Sequence, residues 1–239
     1  MEMNKTDQIE KLQPAVPLVT LLILMVMVAA GAFMVAVALP TWLPTLSQSL
    51  LGDKPKAYWY LSRGSAFAAF VLVWLSMVFG LLITNKLARM WPGGPTAFDL
   101  HQYTSLLGLG FILFHVLILL GDRYINYNLA QMLLPFGSEN YKTVWVGLGQ
   151  IGFYTLLLVS FTFYVRRAIT MRAFRIIHFV SFASFMLALV HGLWSGTDAS
   201  SIWAVSVYWV SAGSVLFLTV YRIFSKWVGK PAVAMTTAR

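Results

Sequence analysis

Six apolar runs, at 15–39, 58–84, 97–120, 143–165, 173–195 and 203–225, divide the chain. Each is long enough to cross a hydrocarbon layer roughly 30 Å thick as an α-helix. The breaks between them hold helix-ending residues. Pro40, Pro44, Gly52 and Pro55 interrupt 40–57, and NKLARMWPGGPT at 85–96 carries two prolines and two glycines, the usual punctuation of turns. The 121–142 connection is longer, and LAQMLLPF within it predicts a short interfacial helix ended by Pro135. Trp42, Trp59, Trp91, Trp145, Trp194, Trp203 and Trp227 fall at the ends of runs, where an aromatic belt would place them. The pattern predicts an all-α, six-helix transmembrane bundle over 15–226, with tails at 1–14 and 227–239 and no second domain or long-period repeat.

The first run competes with a signal peptide, because Ala36-Val37-Ala38 resembles a cleavage site. It exceeds the roughly 7–15 apolar residues of a signal core, and Glu2, Asp7 and Glu10 dilute the leading charge. It reads as a retained span. Without a polar residue after Thr20 it is expected at the periphery, against lipid.

Composition strengthens the membrane reading. The 239 residues are 59% hydrophobic and only 10% charged, against roughly 25% charged in soluble domains. The net charge of +9 does not indicate nucleic acid, because the basic residues sit between the runs rather than on one soluble face. They serve as topology signals instead. Lys5, Lys11, Lys86, Arg89, Arg166, Arg167, Arg172, Arg175, Arg222, Lys226, Lys230 and Arg239 share one side; the other has Lys54, Lys56, Arg63, Arg123 and Lys142. An even number of spans puts both termini on the richer side, which is expected to be cytoplasmic. The expected location is a bacterial plasma membrane. With no cysteine, thiolate zinc sites and iron–sulfur clusters have no ligands here.

All four histidines fall on two runs. His101 and His115 lie in FDLHQYTSLLGLGFILFHVLILLG, and His178 and His191 in FRIIHFVSFASFMLALVHGLWSG. An ionisable side chain inside a membrane helix marks a functional site by default. The third and fifth runs point the same way, so His101 and His178 share the cytoplasmic end and His115 and His191 the external end. Fourteen residues rise about 21 Å and return within about 40° of the starting direction, so His101 and His115 share a face. Gly108 lies midway and leaves room for a porphyrin edge; Phe185 is near the matching midpoint of the fifth run. The thirteen-residue step from His178 to His191 fits less well, leaving about 140° between them on an ideal helix.

A single histidine would read as a hydrogen-bonded core residue. A mononuclear metal site wants three or four converging ligands, and a proton relay mixes acids with histidine through the membrane; Asp99 is the one nearby carboxylate. Two b-type haems, each between a pair of imidazoles from two helices, use all four histidines.

From about residue 58 to 225 the chain resembles the ferric reductase-like transmembrane domain family. The resemblance rests on His-x13-His (His101, His115), His-x12-His (His178, His191), the Arg63-Gly64 pair and FDLHQYTSLLGL around the first ligand. That family includes the membrane parts of ferric-chelate reductases and NADPH oxidases, and the haem subunit of a bacterial methionine-sulfoxide reductase system. The unequal spacing on the fifth helix is normal in it. The resemblance implies two low-spin haems, His101 with His178 and His115 with His191, passing electrons across the bilayer. The ferric reductases and NADPH oxidases of the family continue into a flavin and NAD(P)H domain. No Gly-rich dinucleotide fingerprint is present here. The expected donor is therefore a separate cytoplasmic flavoprotein reductase or a membrane quinol, with ferric iron, oxygen or an external protein as acceptor.

Arg63 enters the second run from the external side and is expected to pair with a propionate of the outer haem, or else to snorkel to the headgroups. Arg172 and Arg175 are the matching candidates at the inner haem. Gln150 and Tyr154, one turn apart, are expected to line a quinone or acceptor pocket or to bond a neighbouring helix. The rival functions are a relay or assembly subunit of a larger respiratory or photosynthetic complex, and a haem-free transporter.

Overall fold

A computed structural model describes residues 13–52, 56–139 and 141–228; most of both predicted tails lies outside them. Among the described residues the regular structure is entirely helical. Six helices are long and apolar enough to cross a membrane: α1 (Leu18–Trp42), α2 (Ala57–Thr84), α3 (Gly94–Gly121), α4 (Thr143–Val165), α5 (Met171–Ser195) and α6 (Ile202–Val228). The chain is an integral membrane protein built as a six-helix bundle. Every predicted span is present, and the ends shift by a few residues.

The turns follow local chemistry. Before α3, Gly93 adopts φ +105°, a backbone conformation open to glycine, and a proline sits in the first turn of the helix. Thr170 caps α5 by accepting from the Ala173 amide at 3.2 Å. The predicted interfacial helix is Leu129–Leu133, closed at its start by a capping box in which Asn128 and Gln131 exchange bonds. It ends before Pro135, as the sequence suggests.

The bundle has two recognisable ends. At one, the Ala15 amide donates to Gln102 Oε1 at 3.0 Å, Tyr164 donates to the Val16 carbonyl at 2.9 Å, and Asn85 reaches the Leu218 carbonyl at 3.0 Å. Lys86, Arg89, Arg166, Arg167, Arg172, Arg175, Arg222 and Lys226 belong to this basic end. At the opposite end Tyr58 donates to the Val35 carbonyl at 3.1 Å and Tyr141 to the Ser195 carbonyl at 2.6 Å. This is the loop end.

The interior is apolar and aromatic: Phe70, Val73, Met77, Leu109, Leu156, Phe185, Leu189 and Tyr208 form its buried cluster. In lipid, close packing and interhelical hydrogen bonds join helices, since tails are as apolar as the core. Helices α2 and α3 accordingly pack closely. A Cβ on Gly108 would lie 3.1 Å from Val73 Cγ2, so Gly108 admits α2 rather than a porphyrin edge, which corrects the expectation from spacing alone. Helix α1 keeps Val19, Val26 and Met27 exposed, as a peripheral span does. Among the belt tryptophans, Trp42, Trp91, Trp194, Trp203 and Trp227 are exposed, and Trp145 stacks on Trp194 at 5.1 Å.

Candidate functional site

The four histidines form two pairs, one toward each end of the bundle. His101 faces His178 with ring centres 6.0 Å apart and planes at 70°; His115 faces His191 at 6.3 Å and 69°. Helix α5 is not continuous between its two histidines. Its regular winding breaks at Val180, between Met171–Phe179 and Ser181–Ser195, and Val180 has the flattened ψ of −17°. The thirteen-residue step therefore crosses a helix junction, and both rings meet α3.

Three rings are held from behind. His101 Nδ1 lies 2.8 Å from the Ser76 carbonyl, His115 Nδ1 2.8 Å from the Ser62 carbonyl, and His191 Nδ1 2.9 Å from the Trp145 carbonyl. A carbonyl can only accept, so Nδ1 carries the proton and Nε2 keeps its lone pair for a metal. Two glycines clear the way. A Cβ on Gly149 would lie 2.6 Å from His191 Nδ1, and one on Gly80 3.3 Å from His101 Cε1. Each sits four residues after the serine or tryptophan whose carbonyl is used, where the next helical turn would otherwise crowd the ring. The ring of His178 has no hydrogen bond among the described residues; Phe174 stacks on it at 5.6 Å and 24°.

Ser62 and Ser76 escaped the sequence reading. Their hydroxyls approach His115 Nδ1 at 2.7 Å and His101 Nδ1 at 3.1 Å. Ser76 also shares a hydrogen with Ser105 at 2.5 Å. The signal was available, because the serines repeat on α2 the fourteen-residue interval of the histidines on the antiparallel α3.

An imidazole nitrogen binds a transition metal at about 2 Å, with its ring centre roughly 1.2 Å behind, so rings facing across one ion have centres about 6.4 Å apart. Both observed separations come close to that value. Among the described residues no three His, Cys, Asp or Glu side chains converge as a metal site. The donor set is two imidazoles, twice.

A cavity of about 240 Å³ opens beside the loop-end pair, lined by His115, His191, Arg63, Tyr208 and many apolar side chains. Arg63 is bound there to Asp198, in the α5–α6 connection: Nε donates to Oδ2 at 2.8 Å, and Nη2 donates to Oδ1. This partner lies 135 residues away along the chain. Arg172 and Arg175 are exposed at the basic end.

Gln150 and Tyr154 line this cavity and also make hydrogen bonds, with a connection rather than a helix as the partner. Gln150 Oε1 accepts from the Phe136 amide at 3.0 Å, while Nε2 donates to the Gln131 and Met132 carbonyls at 2.8 and 2.9 Å. Tyr154 donates to the Leu133 carbonyl. Seven and eleven residues into α4, these anchors lie about 10 and 16 Å along it. The connection therefore folds back beside α4 and walls the cavity. A Cβ on Gly147 would strike the Phe136 ring at 2.1 Å, so glycine is needed for that contact. Burial pushes the phenols of Tyr127 and Tyr141 in this connection up. Both stay protonated at neutral pH and donate, Tyr141 to Ser195.

No family model matches the chain, and neither a curated protein nor a solved structure is similar to it.

Proposed function

We propose that the protein is a membrane b-type cytochrome subunit that moves electrons across the bilayer. One haem is held by His101 and His178 and the other by His115 and His191. The observation that carries this reading is the repeated geometry: two facing imidazole pairs at 6.0 and 6.3 Å, one toward each end of the bundle. When bound, each haem iron supplies reversible one-electron chemistry that the side chains lack.

The residues of the chain orient and insulate. Ser62, Ser76 and Trp145 hold the protonated Nδ1 of three ligands and leave Nε2 to coordinate. The Phe70–Phe185 contact, ring centres 6.0 Å apart, lies in the dry core between the two levels. Arg63 at the loop-end cavity, ion-paired with Asp198, keeps further N–H donors near the outer site. The basic end faces the cytoplasm by the lysine and arginine asymmetry. Electrons enter there from a flavoprotein reductase or quinol and leave at the loop end to an external acceptor.

The test is the absorbance spectrum and iron content of the purified protein. A reducible b-type band with two haems per chain is expected. A colourless, iron-free protein that still crosses the membrane would sink the proposal and favour a transporter.

A further inference from the structure

One buried hydroxyl in the loop-end cavity has no hydrogen-bond partner, and a second lines the same cavity without one. Ser195 Oγ, on the last residue of α5, is shielded from solvent and makes no hydrogen bond. Tyr208 on α6 is only 5% exposed, lines the same cavity, and its phenol oxygen is absent from every side-chain hydrogen bond among the described residues. Room has been made for that phenol: a Cβ on Gly192, the residue after His191, would lie 2.8 Å from Tyr208 Oη. Gly192 and Ser195 are three residues apart on α5 and so neighbour each other along one face. Arg63 completes the corner. It gives two N–H groups to Asp198, and a guanidinium has five.

Buried polar atoms almost always find a partner, and an orphan points to a water, ion or ligand. Here each hydroxyl has a proton to donate, and the guanidinium can only donate. Both oxygens of Asp198, the one carboxylate in the corner, are already engaged by Arg63. A carboxylate only accepts and offers about four lone-pair sites, which suits two hydroxyls and a guanidinium edge better than a single carbonyl would. The Arg63–Asp198 pair is neutral as a unit, so an incoming anion meets no net negative charge.

We propose that Tyr208, Ser195 and Arg63 bind a carboxylate at the loop-end histidine pair. The inference rests on the haem reading. The carboxylate is either the haem's own propionate or a free anion entering from the loop end.

Redox titration of the intact purified protein separates these cases. The loop-end couple is assigned by its loss in His115→Ala. Tyr208→Phe and Ser195→Ala should leave haem content unchanged but shift that couple to lower potential, since a less-bonded carboxylate disfavours the reduced iron. The expected change in reduced-to-oxidised ratio is about threefold in the double variant, roughly 30 mV at 59 mV per tenfold for one electron. The basic-end couple should not move. Reconstitution with haem dimethyl ester, which removes the propionate charge, should raise the wild-type loop-end couple and abolish its difference from the double variant, if the carboxylate is a propionate. A difference between wild type and double variant that survives in the ester form, with a wild-type potential that falls on adding acetate and a variant that does not respond, identifies a free anion. The proposal fails if the double variant leaves the loop-end couple in place, or if both couples shift together. A wild-type protein without any b-type band removes the haem reading and this inference together; an unshifted couple in a haem-bearing protein removes this inference alone.

Discussion

The two histidine pairs share a ring separation and an interplanar angle yet differ in how firmly they are held. At the loop end both rings are tied to backbone carbonyls, from α2 and α4. At the basic end His101 is tied, whereas among the described residues His178 makes no hydrogen bond and stacks on Phe174. The segment carrying His178 is also the looser one: Ile176 is 61% and Phe179 70% exposed, and a helix junction at Val180 separates it from the rest of α5. One pair is a fixed frame and the other has a compliant side. With the two haems proposed above in place, the fixed site would keep its ligand geometry while the compliant site could adapt to whatever docks beside it.

The largest effect should come from removing a ligand. His115→Ala or His191→Ala is expected to halve the haem content and leave the basic-end site filled, as a pyridine haemochrome assay would measure. Loss of both haems from either change would show that the pairs are not independent. Next comes glycine. Gly149→Ala places a methyl group 2.6 Å from His191 Nδ1, whereas Gly80→Ala places one 3.3 Å from His101 Cε1. The first should empty or distort the loop-end site and the second only perturb its counterpart, with low-temperature electron paramagnetic resonance reporting each. Equal damage at both would contradict the contact distances.

A smaller difference should appear in haem retention. One missing hydrogen bond is worth ~1 kcal/mol, so haem transfer to an excess of apo-acceptor should be about fivefold faster from the basic-end site. Faster loss from the loop end would reverse the comparison. Smallest of all, Ser62→Ala and Ser76→Ala remove hydroxyls but not the carbonyls that hold the rings. Each is expected to cost ~0.5–1.5 kcal/mol of thermal stability, with Ser62 the more sensitive because its hydroxyl lies closer to the ring. The wall of the loop-end cavity offers a separate check. Gln150→Leu strips three bonds from the connection. Since the chain has no cysteine, an introduced Met132→Cys should then react faster with a membrane-impermeant maleimide.

Much of this was legible before any coordinates. Span length and charge asymmetry are one-dimensional properties, so six helices could be counted directly from the chain. The histidine interval on α3 could be read because a regular helix converts spacing into direction. The interval on α5 resisted because Val180 interrupts the winding, and no residue near it announces a break. Gln150 and Tyr154 were recognisable as polar residues needing partners, but the partners are backbone atoms of a connection that folds back beside them. Asp198, Ser195 and Tyr208 carried no local signal. They matter through a cavity assembled from distant segments, and spacing cannot report that.

Ser62 meets His115 and Ser76 meets His101, so α2 and α3 are locked at two points with equal intervals between them. A residue inserted between Ser62 and Ser76 would leave one rung of this ladder aligned and swing the other about 100° away. Helix length between the rungs is therefore gauged by its neighbour: drift in that stretch must be matched by an equal change between His101 and His115, while the outer turns of both helices remain free to lengthen or shrink.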